Sequence, residues 1–129
     1  AAGGAPMPSS AQALAQSDAR RMPARNLDAS ELQRLVALLD GWEVHGAVLQ
    51  RHCSFANYHD TMAFVNAVAW IAHRSDHHPD LQVGYNRCTV RYDTHSVNGG
   101  KGGLSDNDFI CAAKIDAVFD SGSWRNDKA

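Results

Sequence analysis

Four of the chain's seven histidines fall between His73 and His95, in the stretch HRSDHHPDLQVGYNRCTVRYDTH. Imidazole is the side chain whose proton changes hands near neutral pH. The pair His77-His78 ahead of Pro79, with His95 at the far end of a strand pattern, therefore brings three proton carriers within reach of one pocket. Asp76 stands next to the pair and is placed to orient one of its members. No serine or cysteine nucleophile accompanies them, which points to proton transfer or elimination rather than acyl transfer. His73 and His77 are four apart on a helix, a spacing that resembles HxxxH metal ligation, but Arg74 stands where a zinc peptidase of that type needs its glutamate base. The residue types thus favour metal-free acid/base chemistry. Histidines that merely close a helix end, or that face a partner, are the competing readings.

The elements that must position these residues follow from the periodicity. Leu27-Asp28-Ala-Ser-Glu31 reads as a staple residue, an N-cap and a capping-box acid. It opens a helix with Leu32, Leu35, Val36, Leu38 and Leu39 on one stripe, closed near Gly41. Trp42 to Phe55 reads as a hairpin turning at Gly46. Asn57 caps a second helix with Tyr58, Met62, Val65, Val68, Ala69 and Ala72 along one face. Phe64, Trp70 and Ile71 on its other flank leave an apolar surplus for core or for another subunit. That helix must end before Pro79, because a proline drives the preceding residue out of the helical region. Leu81–Tyr85 and Cys88–Thr94 read as two further strands, the latter with Cys88, Val90 and Tyr92 on one face. The glycine-rich Val97–Gly103 loop lacks any nucleotide-binding register. Leu104-Ser105-Asp-Asn-Asp108 opens a third helix running to about Phe119. The order α-β-β-α-β-β-α, with hairpins rather than crossovers, predicts an α+β two-layer domain: a four-stranded antiparallel sheet with three helices on one face.

Composition bounds the function. With 129 residues, a hydrophobic share of 44% and a net charge of -2, the chain reads as one ordinary globular domain with no electrostatic drive toward nucleic acid. No run has the apolar length of a membrane span. Cys53, Cys88 and Cys111 are odd in number and widely spaced, so they are expected to be reduced, buried residues of a cytoplasmic protein. Residues 1–26 are expected to be a disordered leader, with Ala1–Pro6 foreign to the domain, and an organelle transit peptide is the alternative. The domain is placed at residues 27–120, and residues 121–129 are read as a frayed tail.

The run His73-Arg-Ser-Asp76-His77-His78-Pro79, followed by Tyr85, His95 and Asp108 in its helix start, resembles the signature of the pterin-4a-carbinolamine dehydratases. The similarity extends to Gly41-Trp42, to Arg51 with Phe55, and to Thr94-His95 before a Gly-Gly-Leu, across roughly residues 27–119. The resemblance implies dehydration of 4a-hydroxytetrahydropterin to the quinonoid dihydropterin in tetrahydrobiopterin recycling, after an aromatic amino acid hydroxylase. It implies no metal and no cofactor, the pterin being the substrate. His77 and His95 would be the acid/base residues and His78 chiefly a substrate ligand, so that His77, His78 and His95 form the catalytic set. Asp76, His73 and Tyr85 would contribute to substrate binding, while Asp108 reads as the N3 acid of a capping box. The family also implies a homodimer paired through sheet edges or a homotetramer packed through helices. Its non-enzyme members, dimerisation cofactors and assembly factors, supply the alternative of a protein-interaction module.

Overall fold

Asp28, Asn57 and Ser105 start helices as their spacing predicts. In the computed structural model, which describes residues 10–19, 24–122 and 124, Asp28 Oδ1 accepts the Glu31 N–H at 2.9 Å and Glu31 Oε1 accepts the Asp28 N–H at 3.2 Å. The helices are α1 (Ala11–Ala15), α2 (Ala29–Val36), α3 (Tyr58–Ser75) and α4 (Asp106–Ser121). The strands are β1 (Trp42–His45), β2 (Val48–Ser54), β3 (Asp80–Val83) and β4 (Arg87–Tyr92), in the antiparallel order β1-β2-β4-β3. Gly41 adopts φ +86, where only glycine is unstrained, and the Arg51 side chain comes within 3.1 Å of where a Cβ would stand.

Alternation along the strands sends Trp42, Leu49, Cys53, Cys88, Val90 and Tyr92 to the face covered by helices, where all six are buried. Register is pinned by Leu49↔Tyr92, Cys53↔Cys88 and Leu81↔Val90. The three cysteines are free and buried. Burial pushes the Cys53 thiol up to about 12 and those of Cys88 and Cys111 to about 11. The fold is therefore the predicted α+β sheet-and-helix layer, with two corrections.

First, the described residues form four α-helices rather than three. The additional one, α1, lies inside the stretch read as leader. Ser10 Oγ caps it, Leu14 is fully buried, and Lys114 Nζ on α4 donates to the Ala15 carbonyl at 2.5 Å. Residues 1–9 and 20–23 lie outside the described residues. Second, the core face of α3 is not the predicted stripe. Thr61, Phe64, Val68, Ile71, Ala72 and Ser75 are buried, whereas Tyr58 and Trp70 are more than half exposed. Both flanks carry apolar side chains, and an aromatic cluster selects between them: Phe64 packs against Phe55, Phe119 and Trp124 with centroids 5.1, 5.4 and 5.9 Å away. Trp124, placed by sequence in the frayed tail, is thus part of the core.

Candidate active site

Asp76 terminates α3 in the left-handed region at φ 50, a conformation that aspartate tolerates better than most residues. The His77 N–H then bonds back to the Ala72 carbonyl at 3.3 Å, so the chain reverses immediately after the helix. The register Asp80↔Arg91 carries His77 and His78 alongside the end of β4. Beyond β4, Thr94 and Gly103 form an antiparallel bridge, exchanging N–H···O bonds of 2.9 and 3.1 Å. This bridge brings the first turn of α4 against the same corner. Four element termini therefore meet at His77.

Its ring is held from two sides. Nε2 lies 2.5 Å from Asp108 Oδ1, and the imidazole stacks on the Tyr92 ring at 5.3 Å with 10° between planes. Asp108 is fully buried, and its second oxygen accepts the Thr94 hydroxyl at 2.8 Å and the Ser105 N–H at 2.9 Å. An ionised carboxylate only accepts, so the Thr94 proton goes to Asp108, and the 2.8 Å contact between Thr94 Oγ1 and Ser105 Oγ takes its proton from serine. By the same logic His77 carries hydrogen on Nε2, which leaves Nδ1 as the ring nitrogen able to accept one. Asp108 thus serves the helix start and the histidine at once.

His78 and His95 stand at the same corner but in water. The His95 side chain is 93% exposed and its Nδ1 lies 3.8 Å from Asp93 Oδ2. The remaining predicted site residues are not gathered there. Asp76 is exposed and shapes the backbone; His73 lies over Trp70 with centroids 6.1 Å apart. Tyr85 is at the opposite end of the β3–β4 hairpin, stacked on Tyr58, with its carbonyl accepting from Thr61 Oγ1 at 2.9 Å. The 18-residue length of α3, about 27 Å, separates that end from His77. Sequence reasoning preferred a cap to a catalytic role for Asp108, quoted Thr94 only as part of the resemblance, and gave Tyr92 no part in the site. Only the inward alternation of Cys88, Val90 and Tyr92 pointed to where that ring would lie.

Cavities of about 400 and about 570 Å³ flank α1, and neither is lined by His77, His78 or His95. Among the described residues, no three His, Cys, Asp or Glu side chains form a group able to hold a metal ion. Nor is any described helix long and apolar enough to cross a membrane.

Comparison with known proteins decides the family. The sequence model of the pterin 4 alpha carbinolamine dehydratases matches residues 25–118. The chain belongs to this family. A provisionally named pterin-4-alpha-carbinolamine dehydratase of Nitrosospira multiformis is 58% identical over 93 residues, 72% of this chain and 79% of that protein. One of Bdellovibrio bacteriovorus, named in the same way, is 56% identical over 92 residues, 71% and 77% of the two chains. The crystal structure of a transcriptional coactivator/pterin dehydratase from Brucella melitensis superposes with a TM-score of 0.66 at 33% identity, covering 72% of this chain and 97% of that one. The family's named activity is that of a hydro-lyase. Its matched segment contains every residue of the corner described above.

Proposed function

We propose that the chain dehydrates a 4a-hydroxytetrahydropterin to the quinonoid dihydropterin by histidine acid/base catalysis. The C4a–O bond breaks and the oxygen leaves as water after receiving a proton; the N5–H bond breaks and its electron pair forms the new double bond. In this reading His77 Nδ1 accepts the N5 proton. Asp108 supports the reading because a buried carboxylate at 2.5 Å stabilises the imidazolium that results. His95 delivers the proton to the leaving oxygen and exchanges it with water, in keeping with its 93% exposure. His78 binds the pterin. General acid/base help of this kind is worth about 10²–10⁴-fold. The single observation that carries the proposal is the short, buried His77–Asp108 contact.

The reading extends to recycling of the pterin after an aromatic amino acid hydroxylase and to a homo-oligomer. Val83 on the edge strand β3 and Trp70 on α3, 44% and 60% exposed, mark surfaces on which copies could meet. The Brucella protein's name joins a coactivator role to dehydration, so partner binding is the second reading. The deciding experiment is the dehydration rate of 4a-hydroxytetrahydropterin with chelator present, for the unaltered protein and for His77→Ala. The expected result is a fast rate that survives chelator and collapses in the variant. A folded protein with no acceleration over the spontaneous reaction overturns the enzyme reading in favour of the interaction module.

A further inference from the structure

Tyr92 heads the fully buried side chains by size. Its hydroxyl makes no conventional hydrogen bond and lies against the Cys111 thiol; burial pushes its ionisation far up. A thiol is a weak hydrogen-bond partner, so the hydroxyl recovers little of what its burial costs. The ring's location is what the position exploits, because its face lies parallel to the His77 imidazole, 10° from coplanar at 5.3 Å.

We infer that Tyr92 is a positioning residue for His77, its ring face serving as the floor on which the imidazole lies. One hydrogen bond, from Nε2 to Asp108, fixes a single direction and leaves the ring free to rock about that axis. A parallel aromatic floor removes the rocking. The two constraints together leave only the Nδ1 edge to meet a substrate. The charged and titratable groups facing His77 are Asp108 from α4 and Tyr92 from β4, with Cys111 behind Tyr92 held as a thiol; Asp76 and His78, its chain neighbours, are exposed. This inference rests on His77 as the acid/base residue, and it assigns the role to the ring rather than to its hydroxyl.

The test compares Tyr92→Phe and Tyr92→Leu by kcat, KM and the nitrogen-15 signals of labelled histidine. Tyr92→Phe is expected to keep kcat within about twofold and to preserve the Nε2–H signal of His77, since the floor is intact. Tyr92→Leu is expected to lower kcat about tenfold with KM nearly unchanged, because a misaligned acid/base group weakens the chemical step rather than binding. A folded Tyr92→Leu with unchanged kcat and unchanged His77 signals overturns the inference, and so does a Tyr92→Phe as impaired as the leucine variant. Should the leucine variant fail to fold, Tyr92→Met fills the same space without a flat ring face; it is expected to show the same loss in kcat, and unchanged kcat with unchanged His77 signals overturns the inference. The imidazole signals do not depend on pterin turnover, so an inactive protein sinks the proposed function without deciding the role of Tyr92.

Discussion

Replacing Asp108 by asparagine separates the two duties of that residue. The amide must present one NH2 and one oxygen where the carboxylate presents two acceptors. At the Oδ2 position it would meet the Thr94 hydroxyl and the Ser105 N–H, and the backbone donor cannot turn away. The NH2 therefore takes the Oδ1 position, opposite His77 Nε2. Two donors cannot face each other, so His77 moves its hydrogen to Nδ1, the atom that accepts a proton in the proposed mechanism. The hydrogen bonds survive in number but lose their charge, a difference of about 1–2 kcal/mol. That corresponds to a fall in Tm of roughly 4–7 °C for a domain of this size. Turnover suffers far more, because the tautomer is wrong and no carboxylate stabilises the imidazolium; the expected loss in kcat is about 10²-fold or greater.

The assay is pterin dehydration alongside nitrogen-15 spectra that show which ring nitrogen is protonated. Ser105→Ala is the control. It removes the cap hydroxyl at a cost of about 1 kcal/mol but keeps the Ser105 N–H on Asp108, so kcat should stay within about threefold. A folded Asp108→Asn protein with kcat within threefold, or one that is slow yet still protonated on Nε2, would refute the reasoning.

His95→Ala should lower kcat at least tenfold while moving stability by no more than about 0.5 kcal/mol, since its side chain is 93% exposed. Thermal denaturation with steady-state kinetics checks both, and an unfolded variant with unchanged activity per folded molecule would contradict it. Alkaline stability gives a further check. The three thiols are held at about 12, 11 and 11 against an ordinary 9.0, so the folded protein keeps protons that the unfolded chain loses. Their contribution is complete below pH 9 and is lost as pH rises toward 11–12, at about 1.4 kcal/mol per pH unit for each thiol. Unfolding free energy measured between pH 9 and 10, before tyrosine ionisation contributes, should fall steeply, and Cys53→Ala should reduce the slope there by about a third. An unchanged slope would show that these thiols do not drive it.

Much of this was legible in the sequence because local rules and tertiary structure agree. Alternation through Leu49, Cys53, Cys88, Val90 and Tyr92 marked the inner face of the sheet, and the side chains at residues 28, 57 and 105 marked helix starts. Agreement failed where local pattern was ambiguous or too short. Both flanks of α3 were apolar, and only the aromatic cluster of Phe55, Phe64, Phe119 and Trp124 separates them. A five-residue helix such as α1 has no periodicity to read, and its order comes from packing on α4. Tyr85 was read as a substrate-binding residue from the family resemblance, but the hairpin sends its turn to the far end of the sheet. Asp108 was read as a cap because sequence shows one carboxylate, not the separate uses of its two oxygens.

The choice of aspartate at position 108 is itself informative. A capping box prefers Glu or Gln at N3, and α2 uses Glu31 there with a 3.2 Å bond to the Asp28 N–H. If capping were the whole role of residue 108, Asp108→Glu should be neutral or mildly stabilising. The position, however, must satisfy three donors at once: Ser105 N–H at 2.9 Å, Thr94 Oγ1 at 2.8 Å and His77 Nε2 at 2.5 Å. One additional methylene moves the carboxylate outward by about 1.5 Å. In a fully buried site that displacement cannot be absorbed by solvent. Either the cap is kept and His77 is pushed from its place on Tyr92, or His77 is kept and the cap opens. A displacement of about 1 Å at a reacting group can cost 10²-fold in rate. Asp108→Glu is therefore expected to retain most of its stability and lose most of its turnover, as read by Tm and by pterin dehydration on the same sample. A glutamate variant of undiminished activity would mean that the distance between Asp108 and His77 is not what the site depends on.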